Sequence, residues 1–257
     1  MKIQTSWIAF STIARKEVGR IFRIWTQTLL PPIITQSLYF VIFGAFLGQR
    51  IGEVGGTTYA AFLVPGLVLM SVVTNAFSNV ASSFFGSKFM RNIEEMLVAP
   101  VSPGVLLAGF CSGGVVRSVL VGIIVFVVST FFVPSSFAHP WAIVVFGLLT
   151  AVIFSLFGFL NGLFARKFDD VSIIPTFVLT PLTYLGGVFY DISSLPPFWQ
   201  NVARLNPLVY CVDGFRYGFS GIASTPVAES AIILTVLTVV MAGGLLWCVR
   251  RGIGLRD

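Results

Sequence analysis

Six apolar segments, at 27–48, 59–84, 104–133, 141–164, 171–190 and 229–249, divide a chain of 257 residues. Each reaches or passes the ~20 residues that carry an α-helix across the hydrocarbon core of a bilayer. In hydrocarbon every backbone N–H and C=O must be satisfied without water, which a helix does within itself and a lone strand or loop does not. The expected fold is therefore an all-α membrane protein with six transmembrane helices. Composition agrees: 56% of residues are hydrophobic and only 10% charged, where a soluble domain carries about 25% charged residues. Six spans and short loops leave no room for a catalytic domain, so 1–257 reads as one membrane domain.

The third segment is longer than a bilayer is thick and should tilt or extend beyond it. The fifth carries Pro175 and Pro181 and should kink. Before the first span, residues 1–26 place Ile3, Trp7, Phe10, Ala14, Val18, Ile21 and Trp25 at steps of three and four, with Arg15, Lys16, Arg20 and Arg23 mostly elsewhere around the helix. This predicts an interfacial helix lying in the membrane plane. Arg15, Lys16, Glu17 and Arg20 stand where a signal peptidase site would be, so the segment is expected to be retained.

Orientation follows from the basic residues. Lys2, Arg15, Lys16, Arg20, Arg23, Lys88, Arg91, Arg166, Lys167, Arg250, Arg251 and Arg256 fall at the two ends and in the second and fourth loops, against Arg50, Arg204 and Arg216 in the other three loops. Positive loops stay inside, so both termini are expected to be cytoplasmic. The same distribution accounts for the net charge of +6 without nucleic acid. Cys111, Cys211 and Cys248 lie far apart and read as apolar filler, not as a disulfide or metal framework.

Four features carry candidate chemistry. The second loop, Ser87 to Pro100, sets Phe89, Ile93 and Met96 or Leu97 on one helical face with Arg91, Glu94 and Glu95 around it. It reads either as a short amphipathic helix offering charges to a cytoplasmic partner or as a solvated turn. The second span bears Ser71, Asn75, Ser78 and Ser82 in one stripe, with Asn79 beside it, and such stripes either join helices or line a wet path. Arg117 follows Gly113 and Gly114 well inside the third span, at a cost near +2.5 to 3.5 kcal/mol on translocon scales. Its partner is left open among an acidic or phosphate group of a substrate, a backbone carbonyl and the lipid headgroups. Residues 190–222 are too long and apolar for a simple loop, yet proline and charge forbid a straight span, so short helices dipping into the outer leaflet are expected. Within them Asp213 and Arg216 stand at pairing distance on a helix. The glycine pairs Gly109 and Gly113, and Gly158 and Gly162, suit close helix packing. His139 is the only histidine and builds neither metal site nor triad. No G-x-x-x-x-G-K-[ST] stretch occurs, so any ATP is bound by another chain.

The stretch LTPLTYLGGVFY from Leu179, which includes Leu182, Leu185 and Gly186, continues to Leu195-Pro196, to Asn206-Pro207-Leu208-Val209-Tyr210 and to Arg216. It resembles, position by position, the signature of the ABC-2 type exporter permeases, and the likeness extends over essentially the whole chain. Arg91 to Pro100 and the run from Phe168 to Ser172 look more narrowly like the YadH-like inner-membrane transport permeases of Gram-negative bacteria. The resemblance implies a homodimer of six-helix subunits in the bacterial inner membrane, a coupling helix at 86–100 (Arg91, Asn92, Glu94, Glu95) and re-entrant helices before the last span. It also implies a separate nucleotide-binding ATPase, which would hold ATP and magnesium, and outward release of an amphiphile such as a lipid, lipid-linked glycan or drug-like molecule. In polysaccharide exporters of the family aromatic residues line the path, a part Tyr39, Phe77 and Tyr184 could play here; Arg117, Asn75 and Asn79 are expected near the path, and Arg117 together with the absence of an accessory sugar-binding domain leans toward a lipid or other amphiphilic anion. The rival is an ion-gradient carrier, disfavoured by six spans with no acidic residue in their interiors. An enzyme would need clustered nucleophiles, histidines or carboxylates, and none is visible.

Overall fold

A computed structural model of the chain describes residues 2–54, 56–99, 101–134 and 137–255. Met1, Pro100, Arg256 and Asp257, and the side chains of Lys2 and Ile3, all used in the readings above, lie outside the described residues.

The chain is almost wholly helical. Helix α1 (Lys2–Arg23) leads into α2 (Trp25–Tyr39), which continues through a widened π-helical stretch, Phe40–Leu47, into α3 (Gly48–Ile51). A two-residue hairpin follows, β1 (Glu53–Val54) antiparallel to β2 (Thr57–Thr58) with Glu53 opposite Thr58. Helix α4 (Tyr59–Phe89) turns into the short α5 (Asn92–Val98), and α6 (Pro103–Thr130) and α7 (Pro140–Phe164) complete the central bundle. Then come α8 (Phe168–Ile174), a π-helical turn at Pro175–Leu179, α9 (Thr180–Tyr184), α10 (Pro197–Arg204), α11 (Pro207–Ser220) and α12 (Val227–Arg251). Local chemistry sets the helix starts: Thr58 accepts from Ala61 N–H at 3.4 Å and Ser102, ahead of Pro103, from Val105 N–H at 3.4 Å.

Among the described residues five helices are long and apolar enough to cross a membrane: Trp25–Ile51, Tyr59–Phe89, Pro103–Thr130, Pro140–Phe164 and Val227–Arg251. They match the first four and the last of the expected segments. The fifth segment is different, because it is assembled from α8, the π turn and α9. Pro181 has no N–H to give the Phe177 carbonyl, and the helix opens so that Thr180 N–H reaches the Pro175 carbonyl five residues back. It ends at Gly186 and at Gly187, whose φ of +73° is a conformation open chiefly to glycine.

Packing centres on α4, whose most apolar window is 78% buried, with α6, α7 and α11 against it. Lipid offers no hydrophobic drive for helices to associate, so close van der Waals fit must do it. The glycine pairs supply that fit. A Cβ on Gly158 would collide with the Phe77 carbonyl, and one on Gly162 would stand 3.0 Å from the Ala81 carbonyl. On α6, Gly109 and Gly113 accept α1 instead, with Ile13 and Glu17 where a Cβ would be.

Two expectations are thereby revised. Helix α1 does not rest on an apolar face alone; it packs along α6 through the line Ile13, Glu17 and Ile21, with Trp7, and Trp25 at the start of α2, turned outward. The coupling segment expected over 86–100 is shorter, since α4 stays helical to Phe89 and α5 covers only Asn92–Val98. The break falls at Arg91, the one described non-glycine residue with positive φ, at 59°.

Candidate functional site

Between α2, α4 and α6 lies a groove of about 300 Å³, lined by Gln27, Thr28, Thr35, Gln36, Tyr39, Ser71, Thr74, Asn75, Ser78 and Arg117, with Pro31, Pro32 and Met70. The polar stripe of α4 splits here. Ser71 and Asn75 are buried, Ser78 is half-buried, and Thr74 and Ser82 are exposed. Their hydroxyls donate to the helix's own carbonyls, Thr74 to Met70 at 2.9 Å and Ser82 to Ser78 at 2.7 Å, so they line the surface without binding a neighbouring helix.

Arg117 is the charged residue in this wall. Its Nε donates to Asn75 Oδ1 at 3.2 Å and its Nη1 to Asn79 Oδ1 at 3.4 Å. The structure thus brings together Arg117, Asn75 and Asn79, and gives the arginine amide partners where headgroups were one alternative. Behind them lies a cluster that sequence reasoning missed. Arg20 Nη2 donates to the same Asn79 Oδ1 at 2.8 Å, to the Asn79 carbonyl at 3.1 Å and to Glu17 Oε2 at 3.1 Å. Ser83 Oγ lies 2.7 Å from both Glu17 oxygens. Glu17 is fully buried, and its contact with Arg20 is the one ion pair among the described residues. A signal was present: Glu17 stands four residues after Ile13 and four before Ile21, on the buried line, and three before Arg20.

Of the aromatic residues, Tyr39 and Tyr184 share Phe189, at ring-centroid distances of 6.0 and 5.6 Å. Phe77, by contrast, is wholly buried with its backbone against Gly158 of α7 and does not line the groove.

A second candidate surface lies at the α5 end. Ile93 is 1% exposed and anchors α5, while Arg91, Asn92, Glu94 and Glu95 are exposed. A cleft of about 500 Å³ runs between this helix and the α7–α8 connection, lined by Lys88, Arg91, Glu94, Leu97, Val98 and Arg166 among others. Lys88 Nζ donates to the carbonyls of Leu163 and Ala165, at 3.1 and 3.2 Å, fixing the end of α7. Phe168 packs on Phe85 and Phe89 at 5.0 and 4.8 Å. Asp170 accepts from the Arg166 and Lys167 amides at 2.9 and 3.0 Å. Those two bonds hold its carboxyl below the usual carboxylate range, so it is ionised and capping at neutral pH.

The remaining motif residues, Leu179, Leu182, Leu185, Gly186, Leu195, Pro196, Pro207, Tyr210 and Arg216, assemble a cap at the opposite end. Asn206 opens α11, accepting from Leu208 N–H at 3.0 Å while its Nδ2 donates to the Leu182 carbonyl at 2.7 Å. Gln200 donates to the Leu195 carbonyl at 2.8 Å, and Tyr210 to that of Arg204 at 2.9 Å. Arg216 donates to the Gly187 carbonyl at 2.8 Å and lies 3.8 Å from the centre of the Phe62 ring. The expected Arg216–Asp213 pair does not form: Asp213 accepts instead from the Ser224 and Thr225 amides at 2.9 and 2.7 Å. At 14 residues α11 is about 21 Å long, too short to span. It packs against α4, α7 and α12. His139 stacks on Tyr217 at 4.5 Å, a structural part. Among the described residues no three His, Cys, Asp or Glu side chains gather as metal ligands, and the described cysteines are free.

A multi-pass helical bundle with a polar groove in its wall, a charged helix at one end and a folded cap at the other defines a membrane permease. Residues 8–220 match the ABC-2 type transporter family. The chain belongs to that family. It is 56% identical over 252 residues to the inner membrane transport permease YadH of Escherichia coli K12, covering 98% of each chain. It is 25% identical over 229 residues to nodulation protein J of Rhizobium leguminosarum bv. viciae, covering 86% of each, and 26% identical over 216 residues to that of Rhizobium meliloti, covering 82% of this chain and 80% of the relative. The protein is accordingly a multi-pass inner-membrane permease.

Proposed function

We propose that this chain is the transmembrane subunit of an ATP-driven exporter, moving an amphiphile outward with work done by a separate nucleotide-binding ATPase that holds the ATP and magnesium. In this reading the broken fifth segment completes six crossings, both termini are cytoplasmic, α10 and α11 are re-entrant helices on the outer side, and two copies of the chain face each other across the substrate path. The observation that carries it is α5: a short helix anchored by buried Ile93 and displaying Arg91, Asn92, Glu94 and Glu95 beside an open cleft. A solvated turn needs no such anchor, whereas a docking element that must transmit movement does.

Charge reversal tests the assignment. Glu94→Lys with Glu95→Lys is expected to abolish co-purification with the ATPase while yield and insertion of the permease stay normal; unchanged complex formation defeats it.

The ion-gradient alternative gains one observation, the buried carboxylate of Glu17. Its geometry argues for a latch and against proton carriage. Ser83 contacts both oxygens and Arg20 pairs with one of them, so the carboxylate is tied to α4 and to its own helix and faces no open path.

A further inference from the structure

The groove beside Arg117 contains a second unmet demand. Gln36, on α2, lies in its lining and is 5% exposed, and its Oε1 has no hydrogen-bond partner among the described residues. A buried acceptor left empty costs about 1–3 kcal/mol, so its position calls for a donor. Arg117 on the facing wall presents the complementary deficit. Two guanidiniums, of Arg117 and Arg20, converge on the single Oδ1 of Asn79. Among the described residues the one carboxylate paired in this cluster, Glu17, is bound to Arg20. The positive charge of Arg117 is met by neutral amides alone.

We propose that the groove is a two-point headgroup site, in which Arg117 receives an anionic group, phosphate or carboxylate, and Gln36 Oε1 receives a hydroxyl or ammonium hydrogen of the same headgroup. The inference rests on the exporter reading and deepens it, because it assigns the substrate class by chemistry. An anion at Arg117 supplies the countercharge the cluster lacks, and in a site partly shielded from water a charge-assisted hydrogen bond is about twice as strong as a neutral one. A donor at Gln36 fills the empty acceptor. The exposed apolar residues Leu30, Ile34 and Leu38 on α2 leave a lipid-compatible surface for the acyl chains.

The test is native mass spectrometry of the purified full chain titrated with three lipids: phosphatidylglycerol (anion and hydroxyl), phosphatidylmethanol (anion, no hydroxyl) and phosphatidylcholine (neither net charge nor donor). Wild type is expected to retain phosphatidylglycerol best and phosphatidylcholine least. Arg117→Gln should cut phosphatidylglycerol retention about tenfold, with Arg117→Lys intermediate. Gln36→Leu should cut it about fivefold while leaving phosphatidylmethanol unchanged. Competition by inorganic phosphate assigns the anion to a free solute, and its failure assigns it to a lipid headgroup; either outcome keeps the Arg117 site. Equal retention of phosphatidylglycerol and phosphatidylcholine by wild type overturns the proposal even if Arg117→Gln misfolds, as does retention unaffected by both Arg117 variants. No ATPase enters this experiment, so its failure removes the headgroup site alone, whereas complex formation with the ATPase left unchanged by Glu94→Lys and Glu95→Lys removes the docking assignment alone.

Discussion

Asn79 serves two arginines with one oxygen, and its neighbours show how a charge is kept inside a helical bundle. Glu17, the countercharge, comes from α1 and not from any long span, and Ser83 completes its coordination. Removing the charge should matter more than removing the bulk. Glu17→Gln is expected to lower stability by about 1–3 kcal/mol, the range for an ionic hydrogen-bonded contact, discounted because the Arg20 side chain is 30% exposed. Thermal unfolding in detergent reads this, and an unchanged midpoint would mean that the latch contributes nothing. At the other end Arg216 satisfies the Gly187 carbonyl and stacks on Phe62. Arg216→Lys keeps the charge but not the planar stack, and should cost about 1–2 kcal/mol by the same measurement. Single residues were the least legible level of the sequence. Arg117 announced itself because an arginine in an apolar run is anomalous, whereas Glu17 sat among charges in an amphipathic helix and looked solvated. Gln36 gave no signal, since one glutamine in a span gains meaning only from what fails to reach it.

Helices were far more legible than their breaks. Apolar length located the four long helices before α12 and α12 itself within a few residues, though not the breaks inside the fifth segment, because hydrocarbon penalises any other backbone. Periodicity found the amphipathic character of α1 but misjudged its buried face, which is set by where Gly109 and Gly113 of α6 leave room. It also carried the short charged helix of the second loop into the end of α4, since a turn at Arg91 with positive φ has no sequence mark. The glycines of α7 were read correctly as packing positions. Gly158→Leu should force α7 off the Phe77 backbone and destabilise the bundle by at least about 1–3 kcal/mol, seen as a lower unfolding temperature and poor monodispersity; a variant that purifies and melts like wild type would refute that contact. The prolines of the fifth segment predicted a kink, and the structure resolves it into a π turn, with α8 and α9 on either side.

At the scale of the whole molecule, the motif from Leu179 to Arg216 carried the resemblance to the family, and in the structure its residues staple a cap of short helices through Asn206, Gln200, Tyr210 and Arg216. In the proposed reading the motif and the ATPase-docking surface lie at opposite ends of the bundle. The account puts the α5 end in the cytoplasm. A cysteine introduced at Glu94 is expected to resist a membrane-impermeant maleimide in intact spheroplasts and to label in inverted vesicles; labelling from outside would reverse the orientation. In the proposed reading the work comes from the separate nucleotide-binding subunit, the sequence showing no G-x-x-x-x-G-K-[ST] stretch. Magnesium-dependent ATP hydrolysis, measured on the purified chain alone and on its complex with the nucleotide-binding subunit, tests this most directly. The account predicts hydrolysis by the complex, lost with Glu94→Lys and Glu95→Lys as the complex falls apart, and none by the isolated chain. Cargo moved across a sealed membrane by the isolated chain, with no ATPase present, would contradict it.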